Sequence, residues 1–134
     1  MDRQAWIRIT AVVALLGALA WMVKWTAMAA QGGEQGPVDT SAFFVGLVLT
    51  AIGSVSLTLR LTRGRSTAVS AAAAVGGAVL TVLLVPGLSI VSNLVFGEGT
   101  PLGTEGGVAV LVLAALVVGV TGLRAPARTP VAAR

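Results

Sequence analysis

The chain alternates long apolar runs with short segments that collect nearly all of its charges. Four runs approach the length that a helix needs to cross a bilayer, roughly 20 residues with about 17–25 tolerated. They cover about 9–30, 42–59, 67–85 and 106–123. Lys24 interrupts the first, and the other three carry no charge. Hydrocarbon offers no water to backbone N–H and C=O groups, so each run must bond to itself as a helix. Four segments this apolar could not close a barrel. The predicted fold is all-α: four transmembrane helices in an antiparallel bundle, forming a single domain over 1–128, with a disordered tail over 129–134.

The segments between the runs agree. Residues 31–41 contain Gly32, Gly33, Gly36 and Pro37, and Asp39, Thr40 and Ser41 offer N-caps to the second span. The connection 61–65 is short, which makes the second and third spans neighbours. Pro86-Gly87 either ends the third helix or kinks it, in which case the helix continues through the apolar residues 88–96.

Composition narrows the class. Of 134 residues, 56% are apolar and 10% charged, with a mean hydropathy of +0.95. Soluble domains carry about 25% charged residues, so a soluble enzyme, a nucleic-acid module and a disordered chain are all excluded. The absence of Cys and His removes disulfides, thiolate metal sites, the usual haem ligand and the commonest general base. The acidic residues Asp2, Glu34, Asp39, Glu98 and Glu105 all fall outside the apolar runs. No catalytic residue, metal ligand or cofactor is therefore expected, and the protein is read as no enzyme.

The charges assign direction. Arg3 and Arg8 precede the first span, Arg60, Arg63 and Arg65 join the second to the third, and Arg124, Arg128 and Arg134 follow the fourth. Glu34, Asp39, Glu98 and Glu105 lie on the opposite side. The positive-inside rule then puts both termini in the cytoplasm, with a bias too strong for insertion both ways. The net charge of +4 is read as a topology signal and as contacts to anionic headgroups of the lipid bilayer, with no nucleic-acid partner. Arginine-, alanine-, valine- and glycine-rich usage points to the inner membrane of a high-GC bacterium. An alternative for the first run is a cleavable signal peptide ending at Ala27-Met28-Ala29, which would leave three spans in the same orientation.

A shift of 64 residues aligns the chain on itself. Gly33-Glu34, Pro37 and Thr40 fall on Gly97-Glu98, Pro101 and Thr104, and Leu59-Arg60 falls on Leu123-Arg124. The reading is either two tandem helical hairpins about an axis along the membrane normal, or convergent loop chemistry. In the first case Glu34 and Glu98 are related by pseudo-symmetry on the outer face, as carboxylates that could hold a cation weakly or dock a partner; the alternative is two solvated loop charges.

Helices in lipid associate through small residues. Gly46, Thr50, Ser54 and Thr58, with Gly53, form such a stripe on span two; Ser70, Ala73, Gly77 and Thr81 form one on span three; Ala115, Gly119 and Gly122 form one on span four. These predict close contacts among spans two, three and four. Lys24 stands alone as an ionisable residue well inside a span, where a charge costs about 2.5–3.5 kcal/mol. Three roles fit it: snorkelling to the interface beside an aromatic belt of Trp21 and Trp25, a cation–π contact with Trp21, or a partner-facing charge or substrate counter-ion, paired across a bundle with an acid from another chain.

The function expected from this is a non-enzymatic accessory or scaffolding subunit, with another membrane protein or a homo-oligomer as partner. A small transporter or channel and a lipid-binding envelope-associated protein are the alternatives. Small multidrug transporters and fluoride channels are similar in layout alone, and no glutamate inside a span is expected here to match the former.

Overall fold

The computed structural model describes residues 2–126, and the tail 129–134 lies outside them. Four helices follow in order: α1 (Arg3–Ala30), α2 (Pro37–Leu61), α3 (Thr67–Phe96) and α4 (Pro101–Arg124), with no strand among the described residues. All four are long and apolar enough to cross a membrane, which makes this a multi-pass membrane protein.

Each helix starts where its cap chemistry dictates. Asp2 accepts from the Ala5 N–H, Ser66 from Val69 and Thr100 from Gly103, each satisfying one of the amides that a helix leaves unpaired at its start. Proline opens α2 and α4, a position where its missing N–H costs nothing. Asp39 is therefore not an N-cap. It sits in the first turn of α2, almost fully buried, and its carboxylate accepts from the Gly36 N–H. α3 passes through Pro86 and continues to Phe96. At 30 residues it is about 45 Å long, more than the hydrocarbon core requires. Its far end is held by the first turns of α4: Ser92 donates to the Leu102 carbonyl at 2.6 Å, and a Cβ on Gly107 would lie 2.8 Å from Leu88.

The contacts predicted among α2, α3 and α4 are present, but much of the small-residue stripes of α2 and α4 turns to α1. α1 packs against both α2 and α4. A Cβ on Gly53 would lie 2.5 Å from Ala14 Cα, one on Gly17 2.8 Å from Thr50 Oγ1, and one on Gly46 2.9 Å from the Trp21 ring. Gly119 and Gly122 meet Leu15 and Ala11 of α1. Ser54, Thr58 and Gly77 meet in the α2–α3 seam, with a Cβ on Gly77 falling 2.6 Å from Thr58 Cγ2. The missed signal is a small-residue face on α1 itself, Ala11, Ala14, Gly17 and Ala18, all buried. α2 and α4 touch each other between α1 and α3; the backbones of α1 and α3 stay apart, and the two helices meet through the Arg3 guanidinium, which donates to Ser70 Oγ at 2.8 Å.

The 64-residue offset recurs in the backbone. Arg3 and Thr67 begin α1 and α3, Pro37 and Pro101 begin α2 and α4, and each pair is 64 positions apart. Gly33 and Gly97, also 64 apart, share a φ near +90°, which only glycine adopts freely.

Polar groups inside the bundle are paired. Trp21, fully buried, donates its indole N–H to Thr50 Oγ1 at 3.1 Å and stands edge-on to Phe43 at 5.1 Å. Ser56 donates to the Ile7 carbonyl at 3.0 Å. Thr50→Val should cost about 1 kcal/mol, because the indole N–H then has no acceptor in apolar surroundings. Thermal unfolding in detergent reads this, and an unchanged midpoint would show that Trp21 needs no partner.

Candidate functional site: an ion pair between two spans

The end of α1 and the start of α4 lie side by side, and each contributes one charge. Lys24 Nζ donates to Glu105 Oε1 at 2.6 Å. Trp25 Nε1 donates to Glu105 Oε2 at 2.8 Å, so both carboxylate oxygens are occupied by donors from α1. Lys24 Nζ also lies 3.4 Å from Met28 Sδ, one turn on. The Lys24 side chain is 6% exposed and that of Glu105 21%.

This arrangement changes two sequence expectations. Lys24 does not snorkel: its ammonium turns inward to a partner in its own chain. Glu105 is not a loop charge. It is the fifth residue of α4, because that helix begins at Pro101 rather than at 106. A run cut at its first charge starts too late when that charge is neutralised by another helix. The signal available in the sequence was Thr100-Pro101, a cap followed by a helix-opening proline.

Helix geometry sets the depth. Lys24 lies six residues before the end of α1, about 9 Å, and Glu105 four residues into α4, about 6 Å. Two opposite charges at one depth, with an indole N–H on the second oxygen, satisfy a site that would otherwise be costly in hydrocarbon. Beneath the pair, Ala18, Trp21, Val108, Val112 and Ala115 pack as an apolar cluster, flanked by Trp25, Phe43 and Leu47. Trp21 is thus a core residue and not part of an interfacial belt. Its indole N–H goes to Thr50, so it serves no belt role for Lys24.

The pair belongs to one corner only. The positions 64 residues away from Lys24 and Glu105 are Leu88 and Ser41, so the matching corner of the other hairpin carries no charge. Glu34 and Glu98 are exposed in the α1–α2 and α3–α4 connections, and Lys24–Glu105 is the sole ion pair among the described residues. Of the packing residues, Gly46, Thr50, Ser54, Gly77 and Gly119 all sit in helix seams.

No protein-family model matches the chain, and no curated protein or solved structure matches it.

Proposed function

We propose that the protein is a non-enzymatic accessory or scaffolding subunit of a larger membrane complex, an antiparallel four-span bundle with both ends on the cytoplasmic face of a bacterial inner membrane. The observation that carries this reading is the distribution of burial among the helices. α3 has the smallest buried share of the four spans. It presents Ala72, Gly76 and Gly87 outward in helical register, and a Cβ on Gly76 or Gly87 would meet nothing within 4 Å. Small residues in register let a second backbone approach closely, and the comparable residues of α1, α2 and α4 are already covered from within the chain. The internal pairing of Lys24 moves the docking role away from that residue and onto α3.

Gly76→Leu tests this. The bundle should keep its stability to within about 0.5 kcal/mol, since the position is open, while the partner that co-purifies from native membranes is lost. Full recovery of the partner with Gly76→Leu would contradict docking through α3.

A small transporter or channel is the second reading. The Lys24–Glu105 pair favours it, because paired charges inside a bundle often mark a transport path. Ion flux from liposomes that disappears with Glu105→Gln would establish that reading and remove the first.

A further inference from the structure

The arginine-bearing end of the bundle carries a cleft. The start of α1 and the α2–α3 turn face each other there across about 890 Å³ of space. Four arginines line it, Arg3 and Arg8 from α1 and Arg63 and Arg65 from the turn, against one acid, Asp2. Asp2 is engaged in capping α1 through the Ala5 N–H. No carboxylate among the described residues lies within ion-pair distance of any of the four. Arg3 is anchored: it donates to the Thr62 carbonyl at 3.0 Å and to Ser70 Oγ at 2.8 Å, which ties α1 to the end of α2 and the start of α3. Arg63 makes one long bond, 3.3 Å to Gln4 Oε1. Arg8 and Arg65 are exposed.

A second space adjoins the first through Arg3. It measures about 390 Å³ and runs where α1 and α3 leave a gap over α2, lined by Trp6, Val55, Leu59 and Ala71, with Thr67 and Ser70 on the α3 side. The two spaces differ in chemistry as the two parts of a phospholipid do. The outer one is a convergence of guanidinium groups, which bind phosphate oxygens bidentately. The inner one is a mainly apolar groove, in which the Ser70 hydroxyl is taken by Arg3 and Trp6 is half-exposed.

We propose that this end of the protein is a binding site for one anionic phospholipid. Its headgroup phosphate lies among Arg8, Arg63 and Arg65, and the upper part of an acyl chain lies in the groove beside Trp6. The shared chemistry with a free phosphate is the arginine cluster. The groove that continues from it favours the lipid. The site is separate from the outward face of α3 and does not depend on the subunit reading.

The test uses the full chain, purified in an uncharged detergent so that membrane orientation plays no part. Native mass spectrometry follows the binding of phosphatidylglycerol, phosphatidylcholine and inorganic phosphate. Phosphatidylglycerol should bind at least about tenfold more tightly than phosphatidylcholine. Arg63→Gln with Arg65→Gln should weaken it about thirtyfold and leave phosphatidylcholine unchanged. Arg63→Lys with Arg65→Lys should fall between, retaining charge but not the bidentate fork. Brominated phosphatidylglycerol should quench tryptophan fluorescence by a component that Trp6→Phe removes, and thermal midpoints show that each variant is folded. Equal binding of the two lipids, or unaltered phosphatidylglycerol binding by the Gln variant, would overturn the proposal. Displacement of phosphatidylglycerol by millimolar phosphate would overturn the lipid assignment in favour of a free anion.

Discussion

Lys24→Met is expected to cost about 3 kcal/mol of bundle stability, and Glu105→Met about as much, because each leaves the other charge without its counter-ion inside the bundle. The double variant should be more stable than either single one, since it removes both charges and leaves apolar side chains of similar length against Trp25 and Met28. This sign pattern separates an internal ion pair from its rivals. If Lys24 were held at the interface by snorkelling, its loss would cost little and would add to the loss of Glu105. If Lys24 bound an acid on another chain, Glu105→Met would leave stability unchanged. Reversible unfolding of the purified protein in mild detergent, run as a double-mutant cycle, decides among these. Additive losses would contradict the pairing.

Gly53→Ala is the second large effect. The added methyl would sit 2.5 Å from Ala14 Cα and 2.8 Å from its backbone N, so a helix rather than a side chain must move. Overpacking against backbone should cost about 3 kcal/mol and loosen the α1–α2 seam along its length. Gly76→Ala makes the like-for-like control. It meets nothing within 4 Å, and the better helix propensity of alanine should leave it neutral or stabilising by up to about 1 kcal/mol. The same thermal measurement reads both. Equal effects would mean that glycine acts through helix propensity and not through close packing.

These residues also mark how far the sequence could be read. The four spans were legible because hydrocarbon imposes a simple condition: a run must be long, apolar and self-bonded. The ends were less legible, since a charge reads as an exit from the membrane unless its partner is known. Glu105 was misplaced for that reason, and its partner lies 81 residues earlier in the chain. The directional argument did put the end of α1 and the start of α4 on one side, which brings a lysine and a glutamate to similar depth. That inference needed only the assumption that the two helices touch. The small-residue stripes were visible, but a stripe does not name its neighbour. Gly46 and Gly53 turn to α1 because Trp21 and Ala14 fit against them. Trp21 read as an interfacial anchor by its residue type, and the space left by Gly46 together with an acceptor on Thr50 turned it inward.

The polar core is closed: Lys24, Glu105, Trp21, Trp25, Thr50 and Ser56 all bond within the chain. If the protein is the subunit proposed above, α3, the least buried of the four spans, is the surface that a second protein would cover. Photo-crosslinking in native membranes tests this most directly, with the crosslinker placed at Gly76 on the outward face of α3 and, separately, at the exposed Leu19 of α1. The account predicts one protein captured at fixed stoichiometry from position 76 and none from position 19. Capture of lipid alone from both positions would contradict it.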